Sequence, residues 1–135
     1  MTLIAWNDSL AVGVNEIDSQ HQKLVQLING LHDHMLKGDA HEIMQKVLDR
    51  VIQYTVMHFQ TEEALMARHG YPHTPTHKRE HADLTKHAVE LQQKLNSGNG
   101  RITMETMTFL RDWLQNHILK TDKLLGAHLQ SKGVD

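Results

Sequence analysis

Seven side chains able to bind metal fall at helical spacings in this chain. His58 and Glu62 are four residues apart, as are His77 and His81, so each pair lies one turn apart on one face of a helix. His117 and Asp122 make a third pair, five residues apart, and His21 stands in a fourth segment. An imidazole offers a neutral nitrogen to borderline metals, and a carboxylate offers two oxygens that can bridge two cations and lower their mutual repulsion. Five histidines and two carboxylates exceed what one tetrahedral zinc takes, and they suit two octahedral ions with a position left over. The donor set predicts a dinuclear centre. Spacing alone leaves Glu63 open as the carboxylate of its segment, because the last pair already uses a five-residue step.

The elements that must position these residues are four amphipathic segments. Residues 1–17 have no helical period and are expected as an extended arm laid across the molecule, with Trp6 as its anchor. A first helix should start at Asp18 or Ser19, either of which can cap free N–H groups, and stop at Gly38. Its apolar stripe is Leu24, Leu27, Ile28, Leu31 and Met35. Near the start of that helix, the positive dipole end would disfavour a charged His21. A second helix over about 39–69 repeats Ile43, Val47, Val51, Tyr54, His58, Glu62 and Leu65 at threes and fours. A glutamate on such a stripe would cost several kcal/mol if buried without a cation.

A third helix over about 76–96 aligns His77, His81, Leu84, Ala88, Leu91 and Leu95. After a Gly- and Asn-containing loop, a fourth starts near Thr103, with Met107, Leu110, Leu114, His117, Ile118 and Leu125 inward. Long helices joined by short loops imply antiparallel neighbours, hence an all-α, up-down-up-down four-helix bundle. The remaining histidines (His32, His34, His41, His69, His73, His87 and His128) are read as solvated.

Composition narrows the function. A chain of 135 residues fits one domain spanning 1–135. With no cysteine, neither disulfides nor thiolate ligands contribute, and a net charge of −2 gives no electrostatic footprint for nucleic acid. No apolar run approaches the roughly 20 residues of a membrane span. The first ten residues lack a basic run and contain Asn7 and Asp8, unlike a secretory signal, so a cytoplasmic protein is expected. A zinc protease motif is missing because Lys78 follows His77, and the paired ExxH motifs of ferritin-like di-iron enzymes are absent.

The run Asp18-x-x-His21, His58-x-x-x-Glu62, His77-x-x-x-His81 and His117-Ile118-x-x-x-Asp122 resembles the hemerythrin family in its single-domain bacterial form. The likeness extends from Trp6 to about Leu125 and includes all seven ligand positions of the family pattern. It implies two iron ions joined by a bridging oxo or hydroxo group. His77, His81 and His117 would bind one ion, His21 and His58 the other, and Glu62 and Asp122 would bridge them. The resemblance selects Glu62 over Glu63. It also implies reversible dioxygen binding for transport, storage or delivery, and not an enzyme. The alternatives are a di-iron oxidase or peroxidase, or a sensor or reservoir. Leu114, Trp113 and Phe59 occupy positions that line the dioxygen pocket in similar proteins, and Ile28 joins them from its place on the stripe. A monomer is expected, with an O2-consuming or redox protein as a possible partner.

Overall fold

The computed structural model describes residues 2–98 and 100–135. Four helical rods run alternately up and down, in the order α1 (Asn15–Lys37), α2 (His41–Arg68), α3 (Thr74–Asn96) and a composite fourth rod. That rod consists of α4 (Met104–Asn116), a π-helical segment (His117–Asp122) and α5 (Lys123–Ser131). α1 packs along α2, and α2 along α3, as short connections require. Gly38 turns the first corner in the left-handed conformation, φ 67°, while its N–H and that of Asp39 satisfy the free carbonyls of His34 and Met35. Thr103 caps α4, its hydroxyl accepting from the Thr106 N–H.

The starts of α1 and α3 differ from expectation. α1 begins at Asn15, not at Asp18 or Ser19, so the arm ends before residue 17. Asp18 does not cap its own helix, and its carboxylate instead accepts from the N–H groups of Val12 and Gly13. That clasp leaves His21 in the second turn of α1, where the dipole of the helix start is largely spent. α3 begins at Thr74, with Pro75 inside its first turn, where a missing N–H costs nothing.

The arm is anchored by more than Trp6, which is only half-buried. Ile4, Leu10, Val12 and Val14 are the buried residues, and the Asn29 side-chain amide pairs with both the N–H and the C=O of Ile4. Val12 crosses the fourth rod at Gly126, where a Cβ would lie 2.3 Å from the Val12 carbonyl oxygen. Only glycine permits that approach.

The inward face of α2 is rotated by about one residue from the expected stripe. Met44, Leu48, Val51, Ile52, Thr55, Phe59 and Met66 are buried beside His58 and Glu62, whereas Ile43 is exposed and Val47, Tyr54 and Leu65 are half-buried. His32 is buried, and His34, His69 and His128 are half-buried, so none of these four is freely solvated. His34 bonds Asp39, and His128 bonds the His69 carbonyl. Among the described residues no helix is long and apolar enough to cross a membrane.

Candidate metal centre

The seven side chains meet between the four rods, and none is more than 3% exposed. Two come from α2, two from α3, two from the π segment and one from α1. The π segment accounts for the five-residue step. In an α-helix the residue five on has turned well past the face of the first, but hydrogen bonds from i to i+5 widen the turn and return Asp122 to the side of His117.

Each carboxylate divides its oxygens. Glu62 Oε1 lies 3.0 Å from His81 Nε2 and 3.4 Å from His77 Nε2, while Oε2 lies 3.2 Å from His58 Nε2 and 3.5 Å from His21 Nε2. Asp122 Oδ1 is 3.0 Å from both His77 and His117, and Oδ2 is 3.0 Å from His21. Two groups of donors result, one of Glu62, His77, His81, His117 and Asp122, the other of His21, His58, Glu62 and Asp122. They share both carboxylates and no histidine, which is the arrangement two bridged cations need.

A profile of the Hemerythrin HHE cation binding domain matches residues 12–129. A bacteriohemerythrin of Methylococcus capsulatus is 39% identical over 132 residues, 97% of this chain and all of that protein. A hemerythrin-like protein of Naegleria gruberi is 33% identical, covering 96% of this chain and 91% of its own. The chain belongs to the hemerythrin family. Its fold agrees with the crystal structure of wild-type hemerythrin at a TM-score of 0.90 and 38% identity, over 94% of this chain and 98% of that one.

The hemerythrin-type cluster is held in place by hydrogen bonds on its outer side. His58 Nδ1 donates to Gln20 Oε1 at 2.7 Å, His81 Nδ1 to Glu63 Oε2 at 2.9 Å, and His117 Nδ1 to Glu80 Oε1 at 2.9 Å. Thr121 adds a second donor to Glu80 at 2.8 Å. Because each acceptor fixes the proton on Nδ1, these three rings turn an Nε2 lone pair toward the carboxylates. Glu63 therefore orients a ring, and Glu62 is the acid of α2 that faces the centre.

Lone pairs facing lone pairs require positive charge between them. All five Nε2 atoms and all four carboxylate oxygens are buried, and among the described residues none has a hydrogen-bond partner. Without metal, protons take that place. Burial alone would lower the pKa of His21 and His77, but the Asp122 and Glu62 carboxylates facing their Nε2 atoms override it and push both up to about 9. His117 moves up as well; its burial opposes the shift, and the Asp122 and Glu62 charges drive it. Burial would raise Glu62 and Asp122, yet the surrounding imidazoles hold both below their usual range. A donor set that gathers protons this strongly is suited to gather cations.

Next to the cluster lies a cavity of about 30 Å³. Its wall includes Leu24, Thr55, Leu84 and Leu114, each three residues along its helix from a histidine of the cluster, together with Ile28. Its lining is almost wholly apolar, and the Thr55 hydroxyl is turned onto the Val51 carbonyl of its own helix. Phe59 and Trp113 are not part of that wall. Phe59 stacks on His81, centroids 3.8 Å apart, and Trp113 on His117 at 4.6 Å.

Sequence spacing had no access to Gln20, Glu80 or Thr121, whose partners lie 37–41 residues away on other rods. Spacing places His117 and Asp122 on one continuous fourth helix and does not predict the π segment, whose sign in the sequence is the five-residue step between them.

Proposed function

We propose that this chain binds dioxygen reversibly at a non-haem di-iron centre held by His21, His58, Glu62, His77, His81, His117 and Asp122, and so carries, stores or delivers O2. The observation that carries this reading is the division of the Glu62 and Asp122 oxygens between two histidine groups. One position then has five protein donors and the other four, which leaves the second with more room for an exogenous ligand. Bound there, the iron pair supplies electrons that dioxygen can take up and return.

The protein's part is to hold, orient and exclude. Gln20, Glu63 and Glu80 fix three rings with Nε2 inward, and Phe59 and Trp113 shield the faces of His81 and His117. Ile28 and Leu114 line a dry chamber beside the cluster, large enough for a diatomic molecule and lacking the polar partners that would retain water. Charge favours a carrier over an oxidase: two divalent ions bring four positive charges, Glu62 and Asp122 cancel two, and the imidazoles are neutral. So few anionic ligands support high-valent iron poorly.

Purified protein, loaded with iron and reduced, should bind two irons per chain. On exposure to air a visible charge-transfer band should appear, and it should vanish under inert gas. Steady O2 consumption with a reductant, without a reversible band, would replace the carrier with an oxidase.

A further inference from the structure

We propose that Glu63 and Glu80 are positioning residues that make the two metal positions unequal, strengthening the three-histidine position while Gln20 leaves the two-histidine position weak. The proposal rests on the dinuclear reading above. Both outer carboxylates serve one group: Glu63 accepts from His81 and Glu80 from His117. Among the described residues the other group has no carboxylate behind its rings. Its His58 donates to the neutral amide of Gln20, and among the described residues His21 Nδ1, like His77 Nδ1 in the first group, has no hydrogen-bond partner.

The amide orientation is itself held. Gln20 Nε2 donates to Thr61 Oγ1 at 3.3 Å and approaches Met57 Sδ at 3.7 Å, so Oε1 is the atom left for His58. Glu80 is likewise held by the Thr121 hydroxyl, which sits inside the π segment between His117 and Asp122. The same irregular turn that brings Asp122 to the centre therefore also fastens the acid behind His117.

A carboxylate behind a metal-bound imidazole draws on the Nδ1 proton and makes Nε2 a stronger donor, and losing such a partner typically costs 10–100-fold in metal affinity. Two such partners on one ion and none on the other add to the difference already set by three histidines against two. The three-histidine ion should bind first and stay. The two-histidine ion, with weaker donors, keeps more of its positive charge and its readiness to take another ligand. The inequality is thus written into residues that touch neither ion.

Anaerobic calorimetric titration of the metal-free chain with Fe2+ tests this. Two resolved steps are expected for the unaltered protein. Glu63→Gln and Glu80→Gln, which keep an acceptor but remove the charge, should each weaken the tighter step by about 10–100-fold and leave the weaker one in place. Gln20→Glu should strengthen the weaker step by a similar factor and draw the two together, a gain that no packing defect can imitate. Loss confined to the weaker step in the glutamate variants, equal loss in both steps, or an unchanged weaker step in Gln20→Glu overturns the proposal while two bound equivalents leave the dinuclear reading intact. Fewer than two equivalents in the unaltered protein overturns that reading itself. If a glutamine variant fails to fold, judged by its metal-free melting temperature, the Gln20→Glu result decides alone.

Discussion

Removing the metal should make stability fall as pH rises through neutrality, and the size of the fall follows from the site. In the metal-free chain, Asp122 and Glu62 override the effect of burial and keep His21 and His77 protonated up to about 9, against 6.5 in the unfolded chain. A group whose folded pKa lies above its unfolded one contributes stability that is complete below 6.5 and is lost as pH passes through about 9. From 6.5 to about 9 is worth about 3 kcal/mol per imidazole at 1.36 kcal/mol per pH unit. The two rings draw on the same carboxylates, so together they contribute about 3–6 kcal/mol. At about 3–5 °C per kcal/mol for a chain of this length, the metal-free melting temperature should drop by about 10–30 °C between pH 6.5 and 9. Glu62 and Asp122, held below their usual range by the imidazoles despite burial, lose their contribution only in acid, outside this window. In the loaded protein cations replace the protons, so its melting temperature should stay nearly level over the same range. The assay is thermal unfolding of both forms at half-unit pH intervals. A metal-free melting temperature that is flat from 6.5 to 9 would refute the claim that protons substitute for cations between those carboxylates.

Two other perturbations separate the cavity from the scaffold. Leu114→Asn places an amide in the wall of the 30 Å³ chamber and should admit water, raising the autoxidation rate of the oxygenated protein several-fold; an unaltered rate would take Leu114 out of the pocket. Gly126→Ala pushes a methyl to within 2.3 Å of the Val12 carbonyl oxygen and should cost about 1–3 kcal/mol, read as a lower melting temperature, with no loss of stability if the arm does not cross there.

The residues at the centre were legible because helical spacing is a one-dimensional property. His58 with Glu62 and His77 with His81 need only a turn of helix to meet. What surrounds them was not legible, because Gln20, Glu63 and Glu80 are matched to rings on other rods, and no local period encodes such a match. The face of α2 was misplaced for a related reason. Ile43 and Val47 fit a period as well as Met44 and Leu48 do, and only packing against α1 and α3 chooses between them. Asp18 shows local chemistry overridden by tertiary demand: it suits an N-cap, but the arm's two free N–H groups claim it and the helix starts a turn earlier. His32 is buried on α1, its Nδ1 without a partner among the described residues, and nothing in its spacing distinguishes it from the exposed histidines.

The arm and the π segment are best understood together. A π turn is rare, occurs mostly as a single turn inside an α-helix, and is frequent at functional sites. Here the short 3-10 turn Asp8–Leu10 packs against that segment, Leu10 is buried, and Val12 meets Gly126 just beyond it. The ends of the arm are fixed elsewhere, Ile4 to Asn29 and residues 12 and 13 to Asp18, all on α1. The arm is therefore a strap from the first rod across the irregular stretch of the last. It braces the one turn whose geometry places His117, Asp122 and Thr121, and through Thr121 the acid behind His117. Residues without any metal-binding chemistry thus bear on where the Asp122 carboxylate lies, because an α-helical relaxation of that turn would carry Asp122 away from both histidine groups at once.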